Sequence, residues 1–192
     1  CISSAASDVY KRQDNNAANG ADTYDKDNAG LYHGGDFAGV TQKLDYLKDL
    51  GVNTIWITPI VDNISGVTVD GEGKEDVPFN AAYHGYWASD FTKLDPALGT
   101  EDEFKALISA AHDKGIKIMV DVVLNHAGYG QEEYFNTLLK DAEGNPIQMI
   151  RDDSQQVSGS DQQASLSGLP DFLTENEAVR NQLVQWLSLI HI

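Results

Sequence analysis

The chain has 192 residues, enough for one domain with a sizeable core. Its formal net charge of −17 argues against nucleic acid or anionic membrane as a partner and suits a cation or a neutral substrate. No apolar run approaches the roughly 18 residues of a membrane span, and with Cys1 as the sole cysteine there is no disulfide framework and no Cys-based metal site.

The two ends read differently from the rest. Asp8–Gln13 is DVYKRQ and Leu187–Ile192 is LSLIHI. One coding of the first is the reverse complement of a coding of the second, and residues 3–13 resemble a translated transposase-type sequencing adapter. Residues 1–13 and 187–192 are therefore expected to be adapter-like, non-native ends. The expected native segment is 14–186, an interior piece of a longer gene.

Residues 14–39 are rich in Asn, Asp and Gly and read as an extended loop. Val40, Leu44 and Leu47 follow at helical spacing, with Gly51 as the stop. Val52–Ile60, VNTIWITPI, reads as a buried strand closed by Pro59. Residues 61–82 read as a long polar loop and Tyr83–Asp95 as an aromatic one. Thr100 and Glu103 form a capping box, and Phe104, Leu107, Ile108 and Ala111 make the stripe of the helix behind it. Gly115–His126, GIKIMVDVVLNH, reads as a strand buried on both faces. Asp121 within it calls for a partner or a ligand. Asn125 and His126 stand at its C-terminal edge, where α/β folds build their sites. Helix, strand, helix, strand, with Gly after each helix, indicates βα units and a parallel sheet.

From Ala127 to Ser167 the pattern breaks into a polar, weakly periodic stretch that suggests a small, loosely cored insertion. Leu169-Pro170-Asp171-Phe172 follows. Thr174 and Glu177 read as a second capping box, before a helix through Val179, Leu183 and Trp186. A nucleotide-binding α/β domain is disfavoured, since no Gly-rich turn joins a strand to a helix.

Four segments in order carry a resemblance. DVVLNH (Asp121–His126) resembles the first signature of the α-amylase family of glycoside hydrolases. AYHGYWASDF (Ala82–Phe91), LPDF (Leu169–Phe172) and FAGVTQKLDYLKDLGVNTIWITPI (Phe37–Ile60) are similar to three further segments of that family. The resemblance implies an α/β fold, an incomplete (β/α)8 TIM barrel with an irregular domain inserted after the third strand. It divides the chain into 14–126 as the N-terminal part of the barrel, 127–170 as the insertion and 171–186 as the start of the third barrel helix.

The resemblance also implies roles. His126 would hydrogen-bond the sugar beside the cleaved bond, Tyr86 would be the ring on which that sugar stacks, and His84 would lie near the same subsite. Trp87 is read equally as a sugar contact or as core. Asp121 would support the site through a basic residue on the next strand, which is not expected within this chain. Asn125 and Asp171 match a calcium site, with Asp161 or Asp153 among the candidates to complete it. Calcium takes 6–8 hard oxygen ligands at about 2.4 Å. Asp14, Asn16 and Asn19, with Gly34 and Asp36, resemble a second calcium site of some bacterial members, although Gly20 stands where those members have a further ligand. The family's nucleophile, acid/base and third carboxylate follow later strands, so none is expected here. The implied parent is a retaining hydrolase of α-1,4-glucans, expected to be secreted. Alternatives are a glucanotransferase or neopullulanase of the same family, and an amylase-like binding subunit without catalysis.

Overall fold

The computed structural model describes residues 24–25, 27–28, 30–68, 79–160 and 162–190. Helix α1 (Phe37–Asp49) starts at Asp36, whose carboxylate accepts the Gly39 N–H at 2.6 Å. Its expected stripe is buried, with Phe37 beside Val40, Leu44 and Leu47. Gly51, at φ +82°, turns the chain into strand β1 (Thr54–Ile57). Helix α2 (Glu101–Asp113) carries both halves of the expected capping box at Thr100 and Glu103. It buries Phe104, Leu107 and Ala111 and leads into strand β6 (Lys117–Val120).

Strands β1 and β6 pair in parallel, from Thr54 opposite Lys117 to Ile57 opposite Val120. Ile55 and Ile57 turn toward α1 and α2, and with Phe37, Leu44, Phe104, Leu107 and Ile116 they make one core. The Phe37 and Phe104 rings meet at 4.8 Å, and Lys114 pairs with Asp45 across the two helices. These are the two expected βα units.

The expectation that the 115–126 strand is buried on both faces is corrected. Met119 is 49% exposed and Val122 43%, and Trp56, opposite Met119, is 37% exposed. Among the described residues, helices cover one face of the β1–β6 pair. The long-loop reading of 61–82 and the loop reading of 83–95 are also corrected. Strand β2 (Val61–Asn63) pairs antiparallel with β5 (Ala88–Leu94), and β3 (Gly66–Thr68) pairs antiparallel with β4 (Phe79–Ala81). Residues 69–78 lie outside the described residues. Register shifts in the β2–β5 ladder break the alternation that would have marked it.

The stretch after His126 is better packed than its composition suggested. Helix α3 (Glu132–Leu138) contributes Phe135, which meets Phe172 at 5.2 Å and Phe91 of β5 at 5.9 Å. Helix α4 (Glu177–Trp186) contributes Val179, Leu183 and Trp186, the last stacked on Phe91 at 5.2 Å and 5°. Met149, Ile150 and Leu173 complete this second core. Its members come from separated segments, and apart from the α4 stripe no local period announces it. The second capping box is corrected too: α4 is capped by Asn176, which accepts the Ala178 N–H at 3.0 Å. Beyond α4, Leu187–Ile190 form a short 3-10 turn.

Phe135 is fully buried. Phe135→Ala is expected to cost about 3–5 kcal/mol. Urea unfolding followed by near-UV circular dichroism reads this; a loss under about 1 kcal/mol would mean that the second core is loosely packed.

Candidate functional site

The C-terminal edge of β6 faces the turn 83–87, and the two meet at Tyr86. Gly85 makes the turn possible. It sits at φ +81°, and a Cβ there would lie 2.7 Å from the Pro59 carbonyl oxygen. Tyr86 is then held at three points. Its N–H donates to His84 Nδ1 at 3.0 Å, its carbonyl accepts from His126 Nε2 at 3.1 Å, and its hydroxyl donates to Asp121 Oδ2 at 2.8 Å. The His84 ring stacks on Tyr86 at 5.6 Å and 18° and meets Trp87 edge-on at 4.4 Å. Trp87 N–H donates to Asn63 Oδ1 at 2.7 Å, and its ring meets Tyr129 at 5.3 Å.

The five residues expected at a sugar site, His84, Tyr86, Trp87, Asp121 and His126, are thus brought together. Tyr86 stays 38% exposed and presents ring surface outward. Asp121 has the partner that its position demanded, and that partner is the Tyr86 hydroxyl. His126 is buried, with Nε2 on Tyr86, while its buried Nδ1 has no hydrogen-bond partner among the described residues. A shallow, mostly apolar hollow lies beside Tyr86, Asp121 and His126, walled by Pro59, Val120, Val122 and Trp186. An exposed ring, a carboxylate and imidazoles around an apolar hollow suit a ligand with apolar faces and hydroxyl edges.

Burial lowers the His84 pKa from its ordinary 6.5. Burial also lowers that of His126, against the raising effects of the Tyr86 carbonyl and of Asp171. Both imidazoles are therefore neutral near pH 7. A neutral His84 is what Nδ1 needs in order to accept the Tyr86 N–H. Asp121 pushes the Tyr86 phenol up, because the charged carboxylate favours its protonated form.

Behind this turn, Asn125 and Asp171 meet as expected. Residues 125–127 run antiparallel to 170–172, through Phe172 N–H on the Asn125 carbonyl at 2.9 Å and Ala127 N–H on that of Pro170 at 2.9 Å. Asn125 Nδ2 lies 3.3 Å from Asp171 Oδ1. The sequence reading missed Arg151. Its Nε donates to Asp171 Oδ2 at 2.8 Å, and its two terminal nitrogens grip Glu175 at 2.8 Å each. Its only sequence signal is a lone cation in front of Asp152 and Asp153. Burial pushes the Asp171 pKa up and the Arg151 guanidinium only partly opposes this.

For calcium, Asn125 and Asp171 offer adjacent hard oxygens once the Asn125 amide is turned. A buried carboxylate whose ionised form is disfavoured also fits a cation. The described residues contain no cluster of three or more His, Cys, Asp or Glu that could hold a metal. Asp153 is exposed, at the rim of an open polar cleft that Asp171 also lines. Asp161, Asp14, Asn16 and Asn19 lie outside the described residues. Gly34 sits at φ +104°, and Asp36 caps α1.

The His84 shift has a consequence for stability. The folded pKa lies below the unfolded one, so the unfolded chain binds more protons as pH falls. The contribution is fully present above 6.5 and is lost as pH falls through the folded value. Urea midpoints at pH 7.5 and 5.5 should show a drop that His84→Asn makes smaller. An equal drop in the variant would remove His84 as its source.

The alpha amylase catalytic-domain model matches residues 8–190. An alpha-amylase of Streptomyces lividans is 50% identical over 103 residues, 54% of this chain and 11% of that protein. The periplasmic alpha-amylase of Escherichia coli is 46% identical over 114 residues, 57% of this chain and 17% of that protein. A cyclomaltodextrin glucanotransferase of Klebsiella oxytoca is 40% identical over 129 residues, 66% of this chain and 18% of that protein. The crystal structure of an Anoxybacillus alpha-amylase superposes with a TM-score of 0.69 at 31% identity, over 94% of this chain and 36% of that one. The chain thus spans well under half the length of each relative. With the matched model running over nearly the whole chain and the motif residues gathered at one turn, the chain belongs to the alpha-amylase family of glycoside hydrolases.

Proposed function

We propose that the parent protein hydrolyses α-1,4-glucosidic bonds of starch and maltodextrins with retention, and that this chain supplies the sugar-binding half of its site. The observation that carries the reading is Tyr86, an exposed ring tethered at its backbone and at its hydroxyl beside the C-terminal edge of a parallel strand pair. In barrel enzymes that edge is where catalysis is assembled. We read β1 and β6 as neighbouring strands of such a barrel and residues 127–170 as a domain inserted into it. The apolar face of a pyranose fits the Tyr86 ring, and His84 and His126 stand beside it as hydrogen-bonding groups.

Retention needs two carboxylates about 5 Å apart, one as nucleophile and one as acid/base. Asp121 is the acidic residue that lines the hollow, and its carboxylate is engaged by the Tyr86 hydroxyl. No acid in this chain is assigned either role; both belong to later strands. The chain alone is therefore expected to release no reducing sugar from soluble starch. The full-length protein should release it, with the α-anomer appearing first by proton NMR. Starch hydrolysis by the purified 192-residue chain would overturn the division, and an inactive full-length protein would overturn the reading, favouring a binding subunit instead. A second reading is glucanotransfer, favoured by the similarity to the Klebsiella glucanotransferase; cyclic products from starch would establish it. Neopullulanase activity would appear as cleavage of pullulan. Starch is a polymer met outside the cell, which supports a secreted parent.

Calcium is proposed at Asn125 and Asp171. There it would offset the buried carboxylate and tie residue 125 to residue 171. The sites proposed from Asp14, Asn16, Asn19, Gly34 and Asp36 rest on the motif alone. Saturating calcium, at about 100 times its Kd, should stabilise the chain by about 2.7 kcal/mol. Asp171→Asn should abolish that gain. Differential scanning calorimetry with calcium and with chelator reads both, and an equal gain in the variant would exclude Asp171 as a ligand.

A further inference from the structure

We infer that Asp121 is a positioning residue, which holds the Tyr86 ring in place through the phenolic hydroxyl and so fixes the platform before any ligand arrives. This rests on the reading of Tyr86 as a sugar platform and extends it to what sets the ring's orientation.

The argument begins with what does not hold the ring. Tyr86 is more than a third exposed, so packing leaves it free on its outer side. The bonds from His84 and His126 act on the Tyr86 main chain and fix the Cα, not the tip of the ring. The His84 stack supports one face. Among the described residues, the 2.8 Å bond to Asp121 is the hydrogen bond that acts at the far end of the side chain. The Cα and the hydroxyl then fix the long axis of the side chain, and the His84 stack sets the plane of the ring.

Asp121 is well placed for this. Its N–H donates to the Ile57 carbonyl at 3.0 Å, which extends the β6–β1 pairing by one residue. The carboxylate therefore stands on paired strand rather than on a loop. Among the described residues, no Lys or Arg pairs with Asp121, and its carboxylate accepts the Tyr86 hydroxyl. A hydrogen bond to an ionised acceptor is stronger than a neutral one and more directional than stacking. An unheld ring would have to be ordered when the ligand binds, and that cost would be drawn from affinity.

The test labels the full 192-residue chain with 13Cζ-tyrosine and assigns Tyr86 by its loss in Tyr86→Phe. In the wild-type chain Tyr86 should titrate above the ordinary tyrosine value of 10.0. Asp121→Ala should bring it down toward that value, and Asp121→Asn, which keeps an acceptor without the charge, should fall between. If alkali unfolds a variant, the 13Cζ shift of Tyr86 at pH 7 reads the same bond. An unchanged titration and an unchanged shift would overturn the inference. Maltoheptaose binding by calorimetry then reads the consequence. Asp121→Ala should raise Kd about 3- to 10-fold, and should add nothing in a Tyr86→Phe background. Additive effects would mean that Asp121 acts by another route. A wild-type chain that binds no maltoheptaose would count against the glucan reading, while the titration would still decide the tether.

Discussion

The parallel pairing of β6 on β1 is the constraint from which the rest follows. It is short, running from Thr54 opposite Lys117 to Ile57 opposite Val120, and the Asp121 N–H adds one more rung. Those rungs decide that Asp121 leaves the sheet beside Pro59, against which Gly85 must pack without a side chain. Tyr86 can then reach Asp121. Four residues further along, Asn125 and His126 have left the sheet and pair instead with 170–172. One strand end therefore faces two ways, toward the aromatic turn through Asp121 and His126 and toward the 151–175 region through Asn125. A slip of one residue in the β1–β6 register would exchange these faces and undo both.

Two carboxylates near this strand end meet opposite electrostatic fates. Asp121 is partly exposed and makes a single directed bond to a neutral hydroxyl. Asp171 is almost fully buried, and its charge is met by Arg151, which is itself buried and shared with Glu175. Removing such a pair from water carries a desolvation cost comparable with its attraction, so Arg151 is better read as fixing geometry than as adding net stability. Its guanidinium joins residue 151 to Asp171 and to Glu175 before α4, 20 and 24 residues away in sequence.

What could be read in the sequence was whatever is encoded locally. The α1 and α2 stripes and the Thr100–Glu103 capping box are set within single turns, and the structure has them as written. The motif residues Tyr86, Asp121, Asn125, His126 and Asp171 were legible as a set, though not who holds whom. For Asp121 the sequence called for a partner without naming it, and the structure supplies the Tyr86 hydroxyl. What escaped was non-local. β2 and β5 are joined through register shifts that hide the period of two, and Arg151 declares its role only through partners 20 and 24 residues away. Most of the second core was invisible for the same reason, since Phe91, Phe135 and Phe172 each look solitary in sequence and only the Val179–Leu183–Trp186 stripe shows a period. Thr174 matched the capping pattern, yet Asn176 took the cap. Glu175 was left to face Arg151.

The neutrality of the two imidazoles ties these observations together. A protonated His84 could not accept the Tyr86 N–H, and a protonated His126 would place a second positive charge near the Arg151–Asp171 pair without adding a partner for itself. Burial keeps both neutral, so the turn is built from acceptors and donors that match as they stand. Asp121 is the one charge committed to the turn, and it is spent on a phenol that stays protonated beside it. A platform of this kind offers a neutral ligand a ring face and hydrogen bonds without a competing buried cation.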